Sequence, residues 1–150
     1  MNDEEYMEIA YQEALKALKH DDVPIGCIIV KDDQIIARAY NQREYLNQTY
    51  GHAEMLAIEE ACKKIERWRL DECTLYTTLE PCLMCSGAII QSHIQRVVYC
   101  ASDTRWMSLD KLIHLPDPKL NYIPMIQSDI LKDKCSKLIK DYFKKKRQKI

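Results

Sequence analysis

The sequence predicts a three-layer α/β domain, with helices on both faces of a mixed five-stranded sheet. Three observations carry this. Helical and strand-like segments alternate in the order α-β-β-α-β-α-β-(α)-β-α. No internal repeat or long linker interrupts that order. The length, 150 residues, suits one domain spanning 1–150 and can bury a sizeable core.

Each element has its own local signal. Residues 3–19 place Tyr6, Ile9, Ala10, Ala14, Ala17 and Leu18 on one helical stripe. "IGCIIV" (25–30) and "QIIARAY" (34–40) are strand-like and flank Asp32-Asp33, a hairpin turn. "HAEMLAIEEACKK" (52–64) is rich in strong helix formers. "CTLYTT" (73–78) reads as a strand, 82–92 as a helix that Pro81 opens, and "RVVYC" (96–100) as a strand. Residues 101–121 read as loop with a short helix around "LDKLIHL". "YIPMIQ" (122–127) is at best an edge strand because of Pro124. A long basic helix over about 129–147 closes the chain.

Composition narrows the function classes. Hydrophobic residues make up 47% and charged residues 30%, as in an ordinary globular protein. No run approaches 18 apolar residues, so no membrane-spanning helix is expected. The acidic start Met1-Asn2-Asp3-Glu4-Glu5 has no apolar core of a signal peptide, which points to the cytoplasm. Seven cysteines in such a compartment argue against a disulfide framework; most read as small buried hydrophobes. Net charge is −1 but uneven: residues 1–22 carry −5 and residues 132–150 carry +7. The basic end is either a solvated helix face or a surface for a polyanion.

Chemistry concentrates in "TLEPCLMCSGAII" (78–90). Cys82 and Cys85 stand one helical turn apart, so their thiols point the same way. A helix start favours thiolates, the form that binds metal. Alone, this pair is equally a thioredoxin-type redox couple or half of a structural metal site. Thirty residues upstream, "GHAE" places His52 and Glu54 at another helix start. Facing helix N-termini would bring His52, Cys82 and Cys85 together, a one-nitrogen, two-thiolate set suited to Zn2+ with a fourth position left for water. Glu54 does not share a helix face with His52, so it is read as a proton shuttle rather than a ligand. Taken singly, Glu54 is a helix-dipole carboxylate and His52 a buried structural histidine. Their co-occurrence, H-x-E followed by P-C-x-x-C, is the signature of zinc-dependent base deaminases.

"VPIGCIIV", "ARAYNQRE", "GHAEMLAI", "WRLDECTLYTTLEPCLMCSGAII", "SHIQRVVY" and the C-terminal "ILKDKCSKLIKDYFKKKRQKI" together resemble the bacterial tRNA adenosine deaminases over nearly the whole chain. The resemblance implies the cytidine deaminase-like α/β/α sandwich, a zinc site, a homodimer, and a tRNA anticodon stem-loop as substrate. It implies hydrolytic conversion of adenosine to inosine at the wobble position by a zinc-activated water. His52, Cys82 and Cys85 then match metal ligands and Glu54 the catalytic proton shuttle. Asn41 in "AYN" matches an asparagine that helps hold the flipped nucleotide, and Asp103 in "ASD" an acidic residue near the anticodon sugar. Without the resemblance, Asn41 is a turn residue and Asp103 a loop or cap residue.

The chain departs from the family at three places. Thr104-Arg105-Trp106-Met107-Ser108 replaces a small Gly-rich loop, Thr49-Tyr50-Gly51 replaces Pro-Thr-Ala, and Cys100 stands where glycine is usual. These changes flank the expected substrate mouth. They keep open a free nucleobase or nucleoside deaminase (guanine, cytosine or related) on the same fold. A non-catalytic zinc module or redox protein is the third possibility, disfavoured by Glu54.

Overall fold

A computed structural model describes residues 1–148. The elements are α1 (Asp3–Lys16), β1 (Gly26–Lys31), β2 (Gln34–Tyr40), α2 (Arg43–Leu46), α3 (Ala53–Ile65), β3 (Cys73–Leu79), α4 (Leu83–Gln91), β4 (Arg96–Ala101), α5 (Leu109–Ile113), β5 (Met125–Gln127) and α6 (Lys132–Gln148). The five strands form one mixed sheet in the order β2-β1-β3-β4-β5. β1 runs antiparallel to β2 and β3, whereas β3, β4 and β5 are parallel. The expected architecture is therefore the observed one.

Strand periodicity explains the layers. In β1, Cys27 and Ile29 join a core with Ala53, Ala57 and Ala61 of α3 and Ile89 of α4. Ile28 and Val30 point the other way, into a core with Tyr6, Met7 and Ala10 of α1 and Cys135 of α6. A strand buried on both faces reads as an apolar run rather than an alternation. The Asp32-Asp33 turn holds both residues at positive φ, 50° and 59°, which matches the right-handed twist of a two-residue hairpin. At Gly26 an added Cβ would collide with the Ala10 carbonyl, so only glycine lets α1 lie this close to β1.

The structure adjusts several expectations. The first helix tightens to a 3₁₀ turn over Ala17–His20, and the change of pitch turns Leu18 out, 43% exposed. Pro81 does not occupy the first position of α4. Cys82 is the N-cap, held extended at ψ 178° by a β-bridge to Ser108, so the helix begins one residue later. The last strand shrinks to Met125–Gln127, after Pro124. The final helix starts at Lys132 rather than near 129. The four-residue α2 is capped from a distance: buried Asp22 accepts hydrogen bonds from the backbone N–H groups of Glu44 (2.8 Å) and Tyr45 (3.1 Å). The thiols are not all isolated. Cys100 on β4 and Cys135 on α6 are paired as a disulfide, while Cys27 and Cys73 are buried as expected.

Candidate active site

The topology brings several chain turns to one sheet edge. Leu79 and Ala101 pair at the carboxyl ends of parallel β3 and β4, so the segments that follow emerge side by side. Antiparallel β1 begins at the same edge, where Gly26 pairs with Tyr40. His52 is the N-cap of α3 and Cys82 the N-cap of α4, so two positive helix ends converge there. Gly51 is required just before His52: a Cβ would stand 2.9 Å from Arg43 Cα. The Gln42 N–H donates to the Gly51 carbonyl at 2.8 Å and fixes that approach.

His52 Nδ1 lies 3.6 Å from both Cys82 Sγ and Cys85 Sγ, and all three atoms fall within 4.8 Å of one another. A tetrahedral zinc with ordinary Zn–S and Zn–N bonds requires an S···N separation of about 3.6 Å. The donor types and their spacing thus fit zinc, with one tetrahedral position left for a non-protein ligand. The thiols are unequal. The hydrogen bond from Cys85 and the neighbouring His52 bring Cys82 down to about 4, whereas its partnership with Cys82 and burial push Cys85 far up. Cys82 in turn raises His52. Such a proton-sharing cluster is what a bound cation would resolve into two thiolates and a neutral imidazole.

Glu54 is 4% exposed in the first turn of α3. Burial raises its carboxyl to about 7. Glu54 shares a cavity of about 460 Å³ with His52, Cys82, Asn41 and Asp103; Cys85 is buried. Asn41 is anchored by its own amide: Nδ2 donates to the Val23 carbonyl (3.1 Å) and Oδ1 accepts from the Arg43 N–H (3.2 Å). Burial pulls the Asp103 carboxyl up, but Arg105 outweighs it and holds the group below its ordinary value. Trp106, in the 104–108 segment expected at the substrate mouth, does line the cavity, whereas sequence reasoning missed Arg43, Ile139 and Phe143. It also missed the work of Glu80. That buried carboxylate accepts from the N–H groups of Asp103 (3.1 Å) and Asp110 (2.8 Å), tying β4's following loop to α5.

A family model, cytidine and deoxycytidylate deaminase zinc-binding region, matches residues 1–101. The tRNA-specific adenosine deaminase of Bacillus subtilis (strain 168) is 41% identical over 148 residues, covering 98% of this chain and 92% of that protein. The chain belongs to the tRNA-specific adenosine deaminase family. A structure solved in a study of A-to-I editing by tRNA:A34 deaminases at the wobble position of transfer RNA superposes with a TM-score of 0.83 and 34% identity. It covers 89% of this chain and 98% of that one. The guanine deaminase of Bacillus subtilis is also similar, with a TM-score of 0.68 and 36% identity over 85% of each chain. Deaminases of different bases thus share this scaffold, and the walls of the cavity must carry the choice of substrate.

Proposed function

We propose that this chain is a zinc-dependent hydrolase that converts adenosine to inosine at the wobble position of a tRNA anticodon. The observation that carries the reading is the His52–Cys82–Cys85 triangle beside buried Glu54, in a chain 41% identical over nearly its whole length to a tRNA-specific adenosine deaminase. His52, Cys82 and Cys85 hold zinc, which when bound would lower the pKa of a water in the cavity and sharpen it as a nucleophile.

The chain's own residues do the rest. Water adds at C6 of adenine and ammonia leaves, so a C–N bond is exchanged for C=O. Glu54 takes one proton from the attacking water and delivers it to ring N1, then takes the second from the new C6 hydroxyl and delivers it to the departing amine, so that C6=O forms as ammonia leaves. Its burial excludes competing water from that relay. Asn41 and Asp103 position the nucleotide, the first against the base pocket and the second towards the sugar. The target base enters out of its stack, as an anticodon loop already presents it. The motif and the family support these roles, and the family also supports a cytoplasmic location. Among the described residues, no helix is long and apolar enough to cross a membrane.

The reading includes a homodimer. α4 has no charged residue, yet Leu83 on it is 54% exposed, and an exposed apolar side chain of that size beside an active site is a natural contact for a second copy. A second copy is the covering surface, and sedimentation should show twice the monomer mass.

The test is a substrate panel. Zinc-loaded protein is incubated separately with adenosine, guanine, cytosine and an A34 tRNA, and ammonia is measured. Release with the tRNA supports the reading; release with guanine or cytosine alone transfers the chain to the free-base deaminases.

A further inference from the structure

Beside the catalytic cavity lies a second, also of about 460 Å³, walled by Ser102, Thr104, Ser136, Lys140 and Arg147. Both cavities share Leu79, Asp103, Arg105, Ile139 and Phe143 as lining. Arg105 is the exposed member of that partition. Its Nε and Nη2 donate to the two carboxylate oxygens of Asp103, each at 3.2 Å, and its guanidinium lies 5.9 Å from the Phe143 ring centroid. The backbone around it is held from several sides. Asp103 N–H donates to Glu80, Ser108 Oγ donates to the Asp103 carbonyl, and Lys111 Nζ donates to the carbonyls of Thr104 and Trp106. The side chains differ in exposure: Arg105 is 56% exposed and Asp103 only 10%. A loop tied down by these hydrogen bonds therefore carries an exposed arginine that lies over, and largely covers, a carboxylate facing both cavities.

A guanidinium fork fits a phosphate as well as a carboxylate. Lys140 and Arg147, on the far wall, have no carboxylate within 4.0 Å among the described residues, so the second cavity is cationic. A nucleotide in a strand offers a phosphate to Arg105 and a sugar hydroxyl to Asp103 in the same encounter. A free base offers neither.

We propose that Arg105 is a specificity-determining latch: a strand-borne nucleotide draws its guanidinium from Asp103 onto a phosphate flanking the target base, exposing Asp103 and joining the two cavities. The proposal rests on the RNA reading above. It assigns a role to one of the residues by which this chain differs from its family.

The experiment uses an RNA hairpin with the target adenosine in its loop, and two further hairpins, each with one flanking phosphate replaced by a neutral methylphosphonate. Inosine formation is measured for wild-type protein, Arg105→Ala and Arg105→Lys, with folding checked by circular dichroism. For wild type, one methylphosphonate should raise KM about tenfold with kcat nearly unchanged, the scale of one charge-assisted hydrogen bond. Arg105→Ala should show that same rise on the unmodified hairpin and no further rise on the modified one. Arg105→Lys, which keeps the charge and gives up the fork, should fall between. No inosine from wild type on the unmodified hairpin overturns the RNA reading and the latch with it. Inosine with equal methylphosphonate effects in wild type and Arg105→Ala, or an unchanged KM in Arg105→Ala, overturns the latch alone.

Discussion

Four side chains carry the proposed chemistry, and holding the metal and carrying the proton make separable predictions. Cys82→Ser or His52→Ala should drop zinc content from about one per chain to near zero by metal analysis, because two donors do not hold the ion in competition with water. Glu54→Ala should keep zinc and fold but lose on the order of 10²–10⁴-fold in turnover, the range for a positioned proton carrier. Near-normal ammonia release by that variant would return Glu54 to a helix-dipole role. These four residues are legible in the sequence because the ligand chemistry is local: two helix starts, each with a short motif of fixed spacing. The cavity walls are not. Arg43, Ile139 and Phe143 come from segments whose chemistry says nothing of where they point, and only the sheet edge brings them to the site. Glu80 stands inside the most informative stretch of the chain, yet its partners, Asp103 and Asp110, lie 23 and 30 residues further on.

Elements form where local pattern and tertiary packing agree, and shift where they do not. The strands of the apolar runs 25–30 and 96–100 stay close to their expected bounds because both faces of the sheet are covered. α4 starts one residue late because Cys82 is drawn into a bridge with Ser108, a partner outside its own segment. α2 has no periodicity to detect and depends on Asp22. The Cys100–Cys135 pair, 35 residues apart, likewise has no spacing signal. α1 is fastened to the sheet by charge as well as by its apolar stripe. Arg96 Nη1 and Nη2 donate to the Asp3 carboxylate at 2.9 and 2.5 Å, and Tyr76 Oη donates at 2.7 Å. The Arg96 hydrogen bonds lead in holding Asp3 below the usual carboxylate value. A depressed folded pKa contributes stability above the unfolded value, about 3.9, and that stability is lost as pH falls through the folded value. Urea unfolding between pH 6 and pH 2 should therefore show a steeper acid loss for wild type than for Asp3→Asn. Parallel curves would mean that the pair contributes no pH dependence.

At the scale of the molecule, the charge asymmetry of the two chain ends has a partly internal explanation. Lys134 pairs with Glu8 at 2.6 Å and Lys146 with Asp21 at 3.1 Å, so α6 docks its basic side against the acidic N-terminal segment. Lys146 is thus committed to the protein body, where the sequence suggested a simple run of free cations. Lys144, Lys145 and Arg147 remain exposed, and Lys149 lies outside the described residues. Reversing Lys144 and Lys145 to Glu should weaken tRNA binding and flatten the log–log salt dependence by roughly 0.7–0.9 for each phosphate that is no longer neutralised, with turnover of a free nucleoside unchanged. An unaltered salt slope would leave the tail a solvated helix end. Fold class is the most legible property at this scale, since layer number follows from the alternation of elements. Substrate choice is the least legible, because it rests on a loop, 104–108, with neither period nor repeat.

For the proposed reaction, zinc, Glu54 and an RNA-borne adenosine must meet in one cavity. That meeting is read by nucleoside mass spectrometry of an unmodified A34 tRNA transcript after incubation with the zinc-loaded protein. One inosine per tRNA is expected, mapped to position 34, with an equal yield of ammonia, and both form on the order of 10²–10⁴-fold more slowly with Glu54→Ala. An unchanged transcript, under conditions where the same protein releases ammonia from a free base, would refute it.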